Sequence, residues 1–147
     1  MKEKLKNIFI FLIPAIVGLV STLFMNKDFF DTVNQPSFAP PKILFPIVWT
    51  ILYLLMGVSL YRMYKINKKK TLIFGIQLAL NMLWVILFFG FNLFLVSFIE
   101  LIILDIVIIY IILDYYSYDK ISSLVLVPYL LWSCFASYLN WAIFLLN

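Results

Sequence analysis

Five stretches of about twenty apolar residues follow one another with barely a gap, and no other feature restricts the fold so strongly. They cover roughly residues 7–25, 43–63, 71–91, 93–113 and 123–145. A helix needs about 20 apolar residues to cross the hydrocarbon layer of a bilayer, so each run is long enough to span it. With 65% of its 147 residues apolar and only 12% charged, and a mean hydropathy of +1.08, the chain has more apolar surface than a water-soluble core of this size can enclose. The expected fold is all-α, a five-helix transmembrane bundle forming one membrane domain over residues 1–147. The third and fourth runs are nearly continuous, from Thr71 to Leu113. As one helix they would extend roughly 64 Å, about twice the hydrocarbon thickness. The chain must therefore reverse, and Gly90-Phe91-Asn92 is the place for it.

Charge sets the expected orientation. Five spans put the termini on opposite sides. Lys2, Lys4, Lys6, Arg62, Lys65, Lys68, Lys69, Lys70 and Lys120 all fall on the N-terminal side, leaving only Lys27 and Lys42 for the other. The positive-inside rule then places the N-terminus in the cytoplasm and the 26–42 loop outside. Lys68-Lys69-Lys70 abuts a span and reads as a headgroup anchor rather than a nucleic-acid patch. The first run has a basic start, but it is longer than a signal-peptide core and no A-x-A site follows, so an uncleaved helix is expected. Pro14 and Gly18 inside it are tolerable in lipid. Cys134 is the sole cysteine, which excludes an intrachain disulfide, and there is no histidine. The commonest general base and metal ligand are thus missing, and no metal site is expected.

The loop over 26–42 is the one long connection, a length typical of lids and binding segments. Pro36, Pro40 and Pro41 fix three φ angles and hold it in shape at low entropic cost. It is read either as a lid or as a rigid connector that delays the next helix. Beyond it, Trp49 and Tyr53 lie at i and i+4 on one helix face. The third run sets Gln77, Asn81 and Trp84 in a stripe, and the fifth sets Trp132, Ala136 and Asn140 in another, beside Ser133 and Ser137. Polar side chains in hydrocarbon face the bundle interior. The amides then serve either interhelical hydrogen bonds, worth about 0.6 kcal/mol each, or the wall of an aromatic pocket for a flat apolar ligand. Three such stripes favour the pocket.

The same segments carry a resemblance. Pro36-Ser37, Pro40-Pro41, Val48-Trp49, Leu52-Tyr53 and Met56-Gly57 form one block. Gln77-Leu78-Ala79-Leu80-Asn81 with Trp84 and Phe88-Phe89-Gly90 form a second, and Pro128 to Trp132 with Phe135-Ala136 and Leu139-Asn140 a third. Over about 110 residues and in this order, they resemble the motifs of the translocator-protein family, TspO/MBR, once called the peripheral benzodiazepine receptor. The resemblance implies five membrane helices, a first loop capping a ligand pocket, and binding of porphyrins such as protoporphyrin IX. Carried over, the pocket comprises Trp49, Tyr53, Asn81, Trp84, Trp132, Ala136 and Asn140 under Pro40 and Pro41. Trp132 is similar to the tryptophan that the family links to light-driven porphyrin breakdown. Gly75 and Ala79 form a small-xxx-small pair on the helix through which the family's homodimers often pack.

The departures count as well. Phe29-Phe30 replaces the usual Trp-Tyr, and loss of that hydroxyl speaks against photochemistry but not against binding. Phe38 replaces a Trp, and Gln35 stands where a Lys that could meet a propionate is common. No basic residue follows Asn140, so the cholesterol motif of animal members is absent.

Glu100 and Asp105 are the two acids inside a span. Five residues apart, they differ by roughly 140° around the helix. Each reads either as a proton or polar site or as a neutral acid hydrogen-bonded to a neighbouring helix. Asp105 leans to the second reading, and Glu100 stays open. No triad, metal cluster or acid–base pair is present, and the function that the resemblance implies is a membrane receptor for porphyrins and similar hydrophobic ligands. The cofactor set is empty and porphyrin is the ligand; no nucleic-acid partner is expected. The alternatives are a transporter of tetrapyrroles or other apolar anions, and a light-dependent porphyrin-degrading enzyme acting through Trp132. The setting expected is a bacterial cytoplasmic membrane, and the assembly a homodimer.

Overall fold

A computed structural model describes the whole chain, Met1–Asn147. Seven α-helices form: α1 Lys2–Ser21, α2 Phe29–Thr32, α3 Leu44–Ile66, α4 Thr71–Val85, α5 Phe94–Tyr116, α6 Lys120–Leu124 and α7 Val127–Leu146. Joined to their short flanking turns they make five stretches long and apolar enough to cross a membrane: Lys2–Phe24, Leu44–Ile66, Lys68–Gly90, Phe94–Tyr116 and Lys120–Leu146. The number matches the sequence expectation, and two details of the helices were not foreseen.

The first is how the third stretch ends. From Ile86 to Gly90 it relaxes into a π-turn, and Asn92 then takes a positive φ of 55° before α5 begins. Asn is among the few non-glycine residues that tolerate this region. The reversal thus falls at Gly90-Phe91-Asn92, while the wider π-turn before it swings Phe88 and Phe89 into the interior. The second is a break in the fifth stretch at Val125-Leu126. Pro128 has no N–H to offer Leu124 and stands in the first turn of α7, where that donor is not missed.

Helices α1 and α3 pack closely. A Cβ on Gly57 would collide with the carbonyl oxygen of Phe11, so only glycine permits this approach. Helix α5 packs on α4 on one side and on α6 and α7 on the other. Met56, Met63, Phe74, Leu101, Leu104 and Ile108 fill the interior. Ile47, Ile51, Leu72, Ile99, Ile106 and Leu131 stay exposed on the outside, the surface a lipid solvent requires.

The two ends of the bundle differ. At one, Lys6, Lys65, Lys68, Lys70 and Lys120 lie over the rings of Tyr64, Tyr61, Tyr64, Tyr118 and Tyr116 in turn, 5.2–5.9 Å from the ring centres. Here Arg62 donates from Nε to Asp119 at 2.7 Å, and Asp119 caps α6 by accepting the Ser122 N–H. The Arg62 guanidinium and the Ser122 donors hold the Asp119 carboxyl well below the usual carboxylate range.

At the other end the 26–42 loop is pinned twice. The Asn26 N–H bonds to the Phe89 carbonyl at 2.9 Å, and Phe29 is buried against Phe88, Phe89 and Phe94. Further along, the Asn34 N–H bonds to the Asn147 side chain and Asn147 Nδ2 returns a bond to the Asn34 carbonyl, both 3.0 Å. Phe38 stacks on Tyr138 of α7 at 5.0 Å. The loop therefore runs from the π-turn across this end to the last turn of α7.

Candidate functional site

Helix α3 presents Phe45, Trp49 and Tyr53 at i, i+4 and i+8, one stripe on one face. In front of that stripe lies a cavity of about 300 Å³. Gly18 and Ser21 at the end of α1, with Thr22 and Met25 just after it, close one side, Val85 at the end of α4 and Phe89 in the π-turn the other, and Phe30 and Lys42 border it from the loop. A Cβ on Gly18 would run into the Tyr53 ring, so the glycine lets that ring lie flat against α1. Trp49 packs on Tyr53 at 5.6 Å and on Trp84 at 5.9 Å, and Phe89 contacts Phe30 and Phe45 at 6.1 and 6.3 Å. The hydroxyls of the wall are turned away. Ser21 donates to the Val17 carbonyl at 2.8 Å, Thr22 to the Leu19 carbonyl at 2.6 Å, and Tyr53 to Asn81. What remains is an apolar, aromatic surface whose hydroxyls are spent, with the unpaired Lys42 at one end.

Behind the stripe the amides form a closed network. Tyr53 donates to Asn81 Oδ1 at 2.6 Å, Asn81 Nδ2 donates to the Tyr129 hydroxyl at 3.1 Å, and Tyr129 donates to Gln77 Oε1 at 2.7 Å. A second cluster centres on Asn140. It accepts from Trp84 Nε1 at 3.1 Å and Ser97 Oγ at 3.0 Å, and donates to the Phe94 carbonyl at 2.8 Å. Together these bonds join α3, α4, α5 and α7. Gln77, Asn81 and Asn140 are at most 1% exposed. Each pairs with another part of the chain because an unpaired amide in this interior would cost the full desolvation penalty.

Comparison with known proteins adds a second line. The family model described as TspO/MBR family matches residues 10–146. The chain is 39% identical over 140 residues to the tryptophan-rich protein TspO of Chlorobaculum tepidum, covering 89% of each chain. It is 40% identical over 138 residues to the tryptophan-rich protein TspO of Archaeoglobus fulgidus, covering 89% of this chain and 90% of that one. Protein CrtK of Rhodobacter capsulatus is 30% identical over 143 residues. The chain belongs to the TspO/MBR family. It is a multi-pass membrane protein.

In this TspO/MBR protein the residues expected at the pocket separate into groups. Trp49 and Tyr53 border the cavity. Asn81, Trp84 and Asn140 stand behind its wall in the hydrogen-bond network. Ala136 is buried on α7 and does not border the cavity, and Pro40 and Pro41 do not border it either; the loop reaches it with Phe30 and Lys42. Trp132 sits across Phe45, ring to ring at 6.1 Å, and edges a shallow outward groove between α3 and α7 with Val48, Leu52 and Phe135. Its indole N–H is buried without an acceptor. Of the lining residues, sequence reasoning assigns only Trp49 and Tyr53 to the site; those it misses include Gly18, Phe30, Lys42, Phe45 and Phe89. The i, i+4 step back from Trp49 to Phe45 was readable, and Phe30 and Phe89 stood at family-motif positions without being placed at the pocket; nothing marked Gly18 or Lys42 as part of it.

The acids also differ from one another. Asp105 accepts from Ser133 and Ser137, one turn apart on α7, the second at 2.7 Å. It is the hydrogen-bonded interhelical acid of the alternative reading. Glu100 is equally buried, but both its carboxyl oxygens lack a partner within the chain. Gly75 and Ala79 are exposed on the outer face of α4, and a Cβ on Gly75 would meet nothing.

Proposed function

We propose that this protein is a membrane receptor that binds a porphyrin such as protoporphyrin IX, or a similar flat hydrophobic ligand, in the cavity between α1, α3 and the α4 π-turn. The observation that carries the reading is the stripe of Phe45, Trp49 and Tyr53 facing Phe89 around an apolar space. Apolar burial and stacking on these rings supply the affinity. The loop, through Phe30 and Lys42, caps the site. The lysine-rich end is placed in the cytoplasm and the loop outside, in a bacterial cytoplasmic membrane. Two copies pair through the Gly75–Ala79 face of α4, where backbones can approach closely. Binding is favoured over light-driven breakdown because Trp132 lies beyond Phe45, outside the cavity wall.

A dark titration of detergent-purified protein with protoporphyrin IX, followed by tryptophan fluorescence, tests this reading. Saturable binding is expected for the wild type and for Trp132→Phe, with Trp49→Phe several-fold weaker. Absence of saturable binding by the wild type would sink the reading. Illumination of the loaded wild type should leave the porphyrin absorbance unchanged, and its loss would favour the degrading enzyme instead.

A further inference from the structure

Lys42 is the one charged residue that borders the cavity. Its position follows from the chain: Pro40 and Pro41 delay the helix, and the Lys42 carbonyl then accepts the Phe45 N–H in the turn that starts α3. That turn places Lys42 beside Phe45 and Pro46 at the end of the aromatic stripe. The four ion pairs of the chain lie elsewhere: Lys6 and Lys65 pair with Glu3, Arg62 with Asp119 and Lys70 with Asp114. Lys42 is in none of them, and no acidic residue borders the cavity. The hydroxyls of Ser21, Thr22 and Tyr53 donate into the protein. The site therefore offers an incoming molecule an apolar aromatic body and one unspent cationic donor at a single end.

Resting on the binding reading above, we infer that Lys42 selects ligands that carry an anionic group on a flat apolar frame, and that it meets a carboxylate of the bound molecule. The ammonium donates to the carboxylate oxygen while the ring system lies between Phe45, Trp49 and Phe89. Gln35, at the position where the resembled family commonly has a lysine, does not border the cavity. The charge missing there is supplied from the other end of the loop. Because the ammonium is exposed, its contribution is modest and salt-sensitive, on the order of a five-fold gain in affinity at low ionic strength.

The test compares protoporphyrin IX with its dimethyl ester, which keeps the ring and removes both charges. Each is titrated in the dark, in non-ionic detergent, against the wild type, Lys42→Gln and Lys42→Arg. Lys42 is exposed and its side chain forms no bond within the chain, so the variants should fold. The wild type should bind the free acid about five-fold more tightly than the ester. Lys42→Gln should lose that preference, its affinities for the free acid and the ester becoming equal, Lys42→Arg should keep it, and added salt should erase it. If Lys42→Gln retains the full preference for the acid, the role of Lys42 is wrong while the porphyrin site stands. If the wild type binds neither compound, the porphyrin reading fails and this inference falls with it.

Discussion

Two regions a single ring apart are built on opposite rules. Behind Tyr53, every amide of Gln77, Asn81 and Asn140 is committed to another helix. In front of it, the cavity has aromatic faces, spent hydroxyls and one free cation. From the sequence both regions looked like parts of one pocket. In this chain the amide stripes of the membrane helices serve the bundle, and the cavity proposed for the ligand lies where the chain has no polar work to do. Tyr53 belongs to both, with its ring in the cavity wall and its hydroxyl in the network.

The largest effect is expected on the network side. Asn140→Leu removes three hydrogen bonds and leaves Trp84 Nε1 without its partner. A loss of about 3 kcal/mol of stability is expected, from roughly 0.6 kcal/mol per bond plus at least about 1 kcal/mol for the orphaned donor. Thermal unfolding in detergent measures it, and porphyrin affinity of the folded variant should stay near the wild-type value. The converse holds on the cavity side. Trp49→Ala should weaken porphyrin binding about ten-fold, equivalent to roughly 1.4 kcal/mol, with a smaller change in melting temperature than Asn140→Leu. Reversal of these two results would erase the distinction.

Away from both regions, Asp119→Ala should cost about 1 kcal/mol by removing the α6 cap and the Arg62 pair. Because folding lowers the Asp119 pKa, its contribution is complete above the unfolded value of about 3.9 and fades as the pH falls through the lower folded value. The melting difference between wild type and variant should therefore be constant from pH 7 to about 5 and shrink only in strong acid. The smallest effect on ligand binding is expected for Tyr53→Phe. It removes the bond to Asn81 and leaves the buried Asn81 Oδ1 without a donor, a cost of about 1 kcal/mol in stability, and it keeps the ring, so porphyrin affinity should hold. A large affinity loss would show that the hydroxyl serves the ligand as well.

The helices were legible because hydropathy reports burial in lipid directly, and the reversal at Gly90-Phe91-Asn92 was legible because the third and fourth runs together exceed the bilayer thickness. The π-turn was not, since Ile86 to Phe89 contains no helix breaker. The tie between Asn34 and Asn147 spans 113 residues and joins two exposed amides, which leave no periodic trace. In the site, the Trp49–Tyr53 step could be read from helical spacing alone. Whether Asn81 and Asn140 face a ligand or another helix could not, because both uses place an amide on the inward face. Gly18 is invisible for a different reason: its contribution is the absence of a side chain against the Tyr53 ring.

The most direct test of the account is a crystal structure of the protein with protoporphyrin IX, grown in the dark. It should show the macrocycle bounded by Phe45, Trp49 and Phe89, with the Trp84–Asn140 and Tyr53–Asn81 hydrogen bonds intact. A macrocycle seated against Trp132, or one that takes its hydrogen bonds from Asn81 and Asn140 with the network opened, would contradict it.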